Sequence, residues 1–142
     1  MSPVRHLSVA SILAVGTYSV NSDLSHAAAV GVGGLVLDID HIYEFCREWG
    51  LREGIRRLID QTLGGPINVP NHVQFWFHGW DILLVLAALS ISTFGNNHVW
   101  LFLFGAAIHL LMDQTGNPGA HIGTYFLSYR IFKGFKTKLL FR

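Results

Sequence analysis

An all-α, polytopic membrane protein is the fold class this sequence predicts, and three observations predict it. Half of the 142 residues are apolar (51%) and only 13% are charged, against about 25% charged in an ordinary soluble domain. Four apolar stretches stand out, at about residues 7–20, 24–40, 74–94 and 98–113. The basic residues avoid the short turns between these stretches and gather in the segments outside them.

The apolar stretches are best read in pairs. The first two are short against the ~20 residues that cross a typical bilayer. Asn21-Ser22-Asp23 and Gly95-Asn96-Asn97, however, are turn sequences joining runs of similar length, so two helical hairpins in one membrane domain over 1–142 are the economical reading. Arg5, the first run and Ala27-Ala28-Ala29 also have the outline of a signal peptide. The second run follows so closely that a retained hairpin is the better account.

Two further segments read as interfacial amphipathic helices. Over 43–63, Tyr43, Phe45, Trp49, Leu51, Ile55, Leu58, Ile59 and Leu63 recur at roughly helical spacing, with Arg47, Arg52, Arg56 and Arg57 between them and a break expected near Gly50. That pattern places an apolar side in the lipid boundary and the arginines at the headgroups. Over 125–142, Phe126, Ile131, Phe132 and Leu139 alternate with Arg130, Lys133, Lys136, Lys138 and Arg142, a composition suited to an anionic membrane surface. Under the positive-inside rule both termini and the central segment are cytoplasmic, in a multi-pass protein of the inner or plasma membrane.

Charge and cysteine content remove other classes. A net charge of +1 without a basic stripe gives no footprint for nucleic acid. Cys46 is the single cysteine, so neither an intramolecular disulfide nor a cysteine-based metal motif is available.

With that topology the polar residues fall at one end of the bundle. His6 opens the first helix, Asp38, Asp40 and His41 close the second, His78 and Asp81 open the third, and His109 and Asp113 close the fourth. Asp38/His41 and His78/Asp81 are i,i+3 pairs and His109/Asp113 an i,i+4 pair, so each pair can share a helical face. An ionisable group at the bilayer centre costs about 2.5–3.5 kcal/mol, less near the helix ends, and a cluster needs compensating charge. Taken singly, each residue has an ordinary structural use as a cap, an ion pair or an interhelical hydrogen bond. Together, His6, Asp38, His41, His78, Asp81, His109 and Asp113 form a ligand set for a divalent metal. Imidazole and carboxylate without thiolate suit zinc, taken as the default, and equally manganese or iron. Asp40 and Asp81 are the candidates for general base. His72 lies near the set, His26 and His98 lie at the opposite end, and His121 is left without a role.

Leu37-Asp38-Ile39-Asp40-His41, His78-Gly79-Trp80-Asp81 and His109-Leu110-Leu111-Met112-Asp113 resemble the motifs of the predicted membrane-bound metal-dependent hydrolases, small multi-span proteins with Asp-x-Asp-His, a central histidine motif and a late His-x-x-x-Asp. The resemblance runs from His6 through Gln114 and Asn117-Pro118 to Tyr125-Phe126 and Tyr129-Arg130. Leu37 stands where the family commonly has proline, the usual His-Arg-Gly and Thr-His-Ser pattern is missing from 72–81, and Asp81 is expected to take the place of a family histidine. The resemblance implies hydrolysis, and a site at the cytoplasmic interface beside basic amphipathic segments suits an anionic phospholipid or another phosphoester as substrate. The alternatives are a non-catalytic subunit or scaffold of a membrane complex, with Trp76, Trp80 and Trp100 as anchors, and a haem-binding electron carrier, against which the aspartates argue. Expected partners are membrane lipids, and either a homo-oligomer or a membrane complex is compatible with the sequence.

Overall fold

The computed structural model describes residues 3–66, 68–91, 96–117 and 119–141. The chain is all-α, with no β-strand among the described residues. Its helices are α1 (Pro3–Asn21), α2 (Leu24–Val36), α3 (Ile39–Trp49), α4 (Leu51–Thr62), α5 (Trp80–Ile91), α6 (Asn97–Gly116), α7 (Leu127–Phe132) and α8 (Thr137–Leu140), with a 3-10 turn over Ile122–Tyr125 before α7. Among the described residues α6 is the one helix long and apolar enough to cross a membrane, while α5 is apolar but covers 12 residues.

α1 and α2 form the first hairpin. Asp23 caps α2, its carboxylate accepting from the backbone of Ser25 at 2.8 Å and His26 at 3.2 Å. Such a cap satisfies N–H groups that the first turn leaves unpaired. α2 packs most extensively on α6 and next on α1, and its glycines explain the intimacy. A Cβ on Gly33 would overlap the Phe102 carbonyl, and one on Gly105 would overlap the Val30 carbonyl. Only residues without a side chain allow the two backbones to touch in this way. Around this crossing Leu37, Ala106, Leu110 and Tyr125 make the buried apolar core.

The second helix is shorter than its apolar run. It ends at Val36, and Asp38 precedes α3 with Asp40 and His41 in its first turn. These residues therefore open a new helix instead of closing α2. The amphipathic segment 43–63 divides at Gly50, where φ is +79°, a left-handed value that L side chains rarely adopt. A Cβ on Gly54 would overlap the Phe45 carbonyl, so α3 and α4 fold tightly against each other. The third apolar run is helical only from Trp80, and its expected end falls in 92–95, outside the described residues. Its first residues form a loop because their N–H groups are taken by side chains of α3: Asp40 accepts from Phe77 at 2.6 Å and Glu44 from Gln74 at 3.1 Å.

The C-terminal segment does not lie flat as one amphipathic helix. α7 and α8 are separate short helices, and the strand-like ends of the turn between them pair with the loop before α5: Val73 donates to Phe135 at 2.9 Å and Thr137 to Asn71 at 3.1 Å. Arg130, expected at a lipid surface, is buried.

The backbone crossing makes a testable demand. Gly105→Ala is expected to lower stability by roughly 1–3 kcal/mol through overpacking, read as a lower thermal midpoint in detergent. Gly16→Ala, where a Cβ meets nothing within 4 Å, should leave the midpoint unchanged or raise it slightly.

Candidate metal centre

Six polar side chains from α1, α3, α6 and the loops before α3 and α5 meet at one end of the bundle. His6, His78, His109 and Asp113 are buried, whereas the Asp38 and His41 side chains keep 22% and 26% of their surface open. The cluster is thus exposed to solvent only through Asp38 and His41 among these six.

The backbone crossing orients the first histidine. With α2 against α6, the Gly34 carbonyl lies 2.8 Å from His109 Nδ1. A carbonyl can only accept, so Nδ1 carries the proton and Nε2 presents a lone pair. His78 is fixed in the same sense by a different device, its Nδ1 lying 3.2 Å from Asp40 Oδ2, which again leaves Nε2 as a lone pair. The two Nε2 atoms then face each other at 3.2 Å. Two lone pairs so opposed in a dry interior repel, and positive charge held beside them relieves them.

The other ligands sit at similar spacing. His109 Nε2 is 3.7 Å from Asp38 Oδ1 and 3.5 Å from Asp113 Oδ2. His78 Nε2 is 3.6 Å from Asp113 Oδ2, and His41 Nε2 is 3.6 Å from Asp38 Oδ1. His6 places Nδ1 3.2 Å from Asp38 Oδ2 and Nε2 3.2 Å from Asp113 Oδ1. The second approach has the wrong angle for a hydrogen bond, so His6 Nε2 is a buried nitrogen without a hydrogen-bond partner among the described residues. Buried polar atoms rarely stay so. Three triads have ligand atoms all within 4.8 Å of one another: His6, Asp38 and His109; Asp38, His41 and His78; His78, His109 and Asp113. The donor set, its spacing and the orphaned nitrogen fit a metal ion.

Two residues expected in the site have other occupations. Asp81 accepts from Leu127 N at 2.9 Å and Ser128 N at 2.8 Å, and so holds the start of α7. It belongs to none of the three triads. The i,i+3 pairing with His78 presumed one continuous helix, and the helix begins only at Trp80. Asp40 orients His78 and the Phe77 backbone from behind the ligands. Among the remaining histidines, His26 and His98 lie ring to ring at 4.7 Å, tilted by 47°, at the far end of α2 and α6. His121 caps the 3-10 turn through Gly123 N.

The loop carrying His78 is clamped from both sides. Asp40 and Glu44 take its N–H groups, and Arg130, at 1% exposure, donates to its carbonyls: Nη1 to His78 at 2.7 Å and Nη2 to Phe75 at 2.7 Å. Nη1 also reaches the Thr124 carbonyl at 3.1 Å. Burial pulls the guanidinium down to about 10, partly opposed by Asp81 and Asp40, so it remains charged at neutral pH. Burial pushes the Glu44 carboxyl up, against the pull of Arg47 at 2.7 Å. Phe75 sits in this clamp at φ +38°, a value costly for a bulky side chain. Behind Asp113, Asn117 Nδ2 donates to its Oδ1 at 3.2 Å and to the Tyr125 hydroxyl at 2.6 Å. The sequence offered no spacing signal for Arg130, Glu44 or Asn117. Asn117, Tyr125 and Arg130 fall within the family resemblance, and Arg130 also within the basic amphipathic segment.

Compared with models of protein families, with curated proteins and with solved structures, the chain matches none. The likeness to membrane-bound hydrolases therefore rests on its motif residues.

Asp40→Asn should keep the fold and reduce metal affinity by about 10–100-fold, the usual cost of losing an outer partner of a ligating histidine. Titration of metal-stripped protein with a chromophoric competitor, alongside circular dichroism, measures both.

Proposed function

We propose that this chain is a membrane-embedded, metal-dependent hydrolase acting on a phosphoester, and foremost on a phospholipid, at the cytoplasmic face of the membrane. The observation that carries the reading is the pair of opposed Nε2 atoms of His78 and His109 at 3.2 Å, ringed by His6, His41, Asp38 and Asp113. Zinc is the default occupant, with manganese and iron as alternatives of the same ligand preference. Such an ion supplies Lewis acidity towards a phosphoryl oxygen and acidifies water to a pKa of about 7.

The chain's own residues define how a substrate enters. Approach is from the side where Asp38 and His41 are partly open. A second feature is an apolar cavity of about 260 Å³, lined by Leu37, Phe77, Leu83, Leu86, Phe102 and Leu110 among others. Leu37, Phe77 and Leu110 directly neighbour Asp38, His78 and His109 in the chain, so a hydrocarbon chain in the cavity would bring an attached ester towards the polar cluster. Asp40, in contact with His78, is the carboxylate placed to fix that ring's tautomer and raise its basicity as a ligand.

Membrane embedding is supported by the apolar length of α6 and by the exposed Ile12, Val15 and Tyr18 of α1 and Leu84, Val85 and Leu89 of α5. An exposed apolar flank of this extent suits lipid. Small residues at the α2–α6 crossing are the usual means by which helices associate in lipid. The basic residues of α4 and of 133–138 suit the cytoplasmic headgroup layer.

Metal content of detergent-purified protein, measured by mass spectrometry, tests the core of the reading. Wild type is expected to hold stoichiometric metal, with His109→Ala and Asp113→Ala losing it. Metal-loaded wild type should then release product from a phospholipid and phosphoester panel while Asp113→Ala stays at background. Equal behaviour of the two would sink the hydrolase assignment.

A further inference from the structure

The six candidate ligands do not form one common group, and the inference drawn from that rests on the metal-binding reading above. Six ligand atoms around a single first-row ion, each at about 2.0–2.2 Å, would all lie within about 4.4 Å of one another. Here they separate into three overlapping triads instead of one common group.

The way the triads overlap has an internal order. His6 and His109 form one imidazole pair, their ring centroids 4.0 Å apart. His41 and His78 form another, at 5.1 Å, and His78 and His109, at the same ring separation, join the two pairs. Each carboxylate touches both pairs. Asp38 reaches His6 through Oδ2 and His41 through Oδ1, with His109 also near Oδ1. Asp113 reaches His6 through Oδ1 and both His78 and His109 through Oδ2. A carboxylate whose two oxygens address different imidazoles is in the position of a bridge.

We infer that the chain holds a two-ion centre in which His6 and His109 serve one ion, His41 and His78 the other, and Asp38 and Asp113 span both. Two-ion hydrolytic centres hold their metals about 3.5–4 Å apart and grip an attacking and a leaving oxygen together. Charge argues for the substrate class. Two carboxylates cannot neutralise two divalent ions, and the positive excess is a seat for the oxygens of a phosphoester. The His41–His78 ion is the accessible one, because His41 and Asp38 are the ligands left partly open.

Manganese alone is the probe. Purified protein is stripped with chelator, reloaded with Mn²⁺, freed of excess, and examined by elemental mass spectrometry and electron paramagnetic resonance. The expected result is two manganese per chain with the spectrum of an exchange-coupled pair. His41→Ala, at the open edge of the site, should bind one, with the spectrum of an isolated ion, while His98→Ala at the far pole keeps two. One manganese per chain in wild type, uncoupled and unchanged in His41→Ala, would overturn the two-ion arrangement and leave metal binding standing. None in wild type would remove metal binding itself. The wild-type spectrum decides the matter even where a variant fails to fold.

Discussion

The structure depends on two backbones in contact. Gly33 and Gly105 let α2 and α6 approach until a Cβ at either position would overlap a carbonyl of the other helix. That approach carries the Gly34 carbonyl to His109 Nδ1 and so decides which nitrogen of the ring faces the centre. The orienting partner of this candidate ligand is a main-chain carbonyl, which substitution of side chains cannot remove. Packing and ligand chemistry are consequently one property of this crossing. The residues that fill no volume set the tautomer of a histidine at the candidate metal centre.

A second constraint acts on His78, which lies on no helix. Its loop would ordinarily be the loosest part of such a bundle, since irregular backbone has no hydrogen-bond partners of its own. Asp40 and Glu44, one turn apart on α3, supply acceptors for its N–H groups, and Arg130 supplies donors for its carbonyls. Three charged side chains thus stand in for the missing helical ladder. The buried charges are costly on their own, and their arrangement around one stretch of backbone is what offsets that cost.

Much of this was legible in the sequence. The ends of the apolar runs, together with the basic residues, were enough to gather His6, Asp38, His41, His78, His109 and Asp113 at one pole, because helix ends are set by coarse features of composition. The all-α class follows from the same features. Details that depend on particular hydrogen bonds were not legible. Hydropathy continues smoothly through Phe77, so nothing announced that α3 would capture the backbone there and delay the helix to Trp80, and this moved Asp81 from the expected ligand set to the start of α7. Arg130 looks in sequence like its basic neighbours Lys133 and Lys136. Its burial follows from a tertiary need for donors that no local pattern records.

The position of Arg130 also orders events in time. All six ligand side chains precede it in the chain, and the last of them, Asp113, is made 17 residues earlier. During synthesis the imidazoles and carboxylates are therefore made before the guanidinium that holds the His78 loop. A nascent chain short of α7 thus carries all six side chains without the donors that clamp the loop bearing one of them.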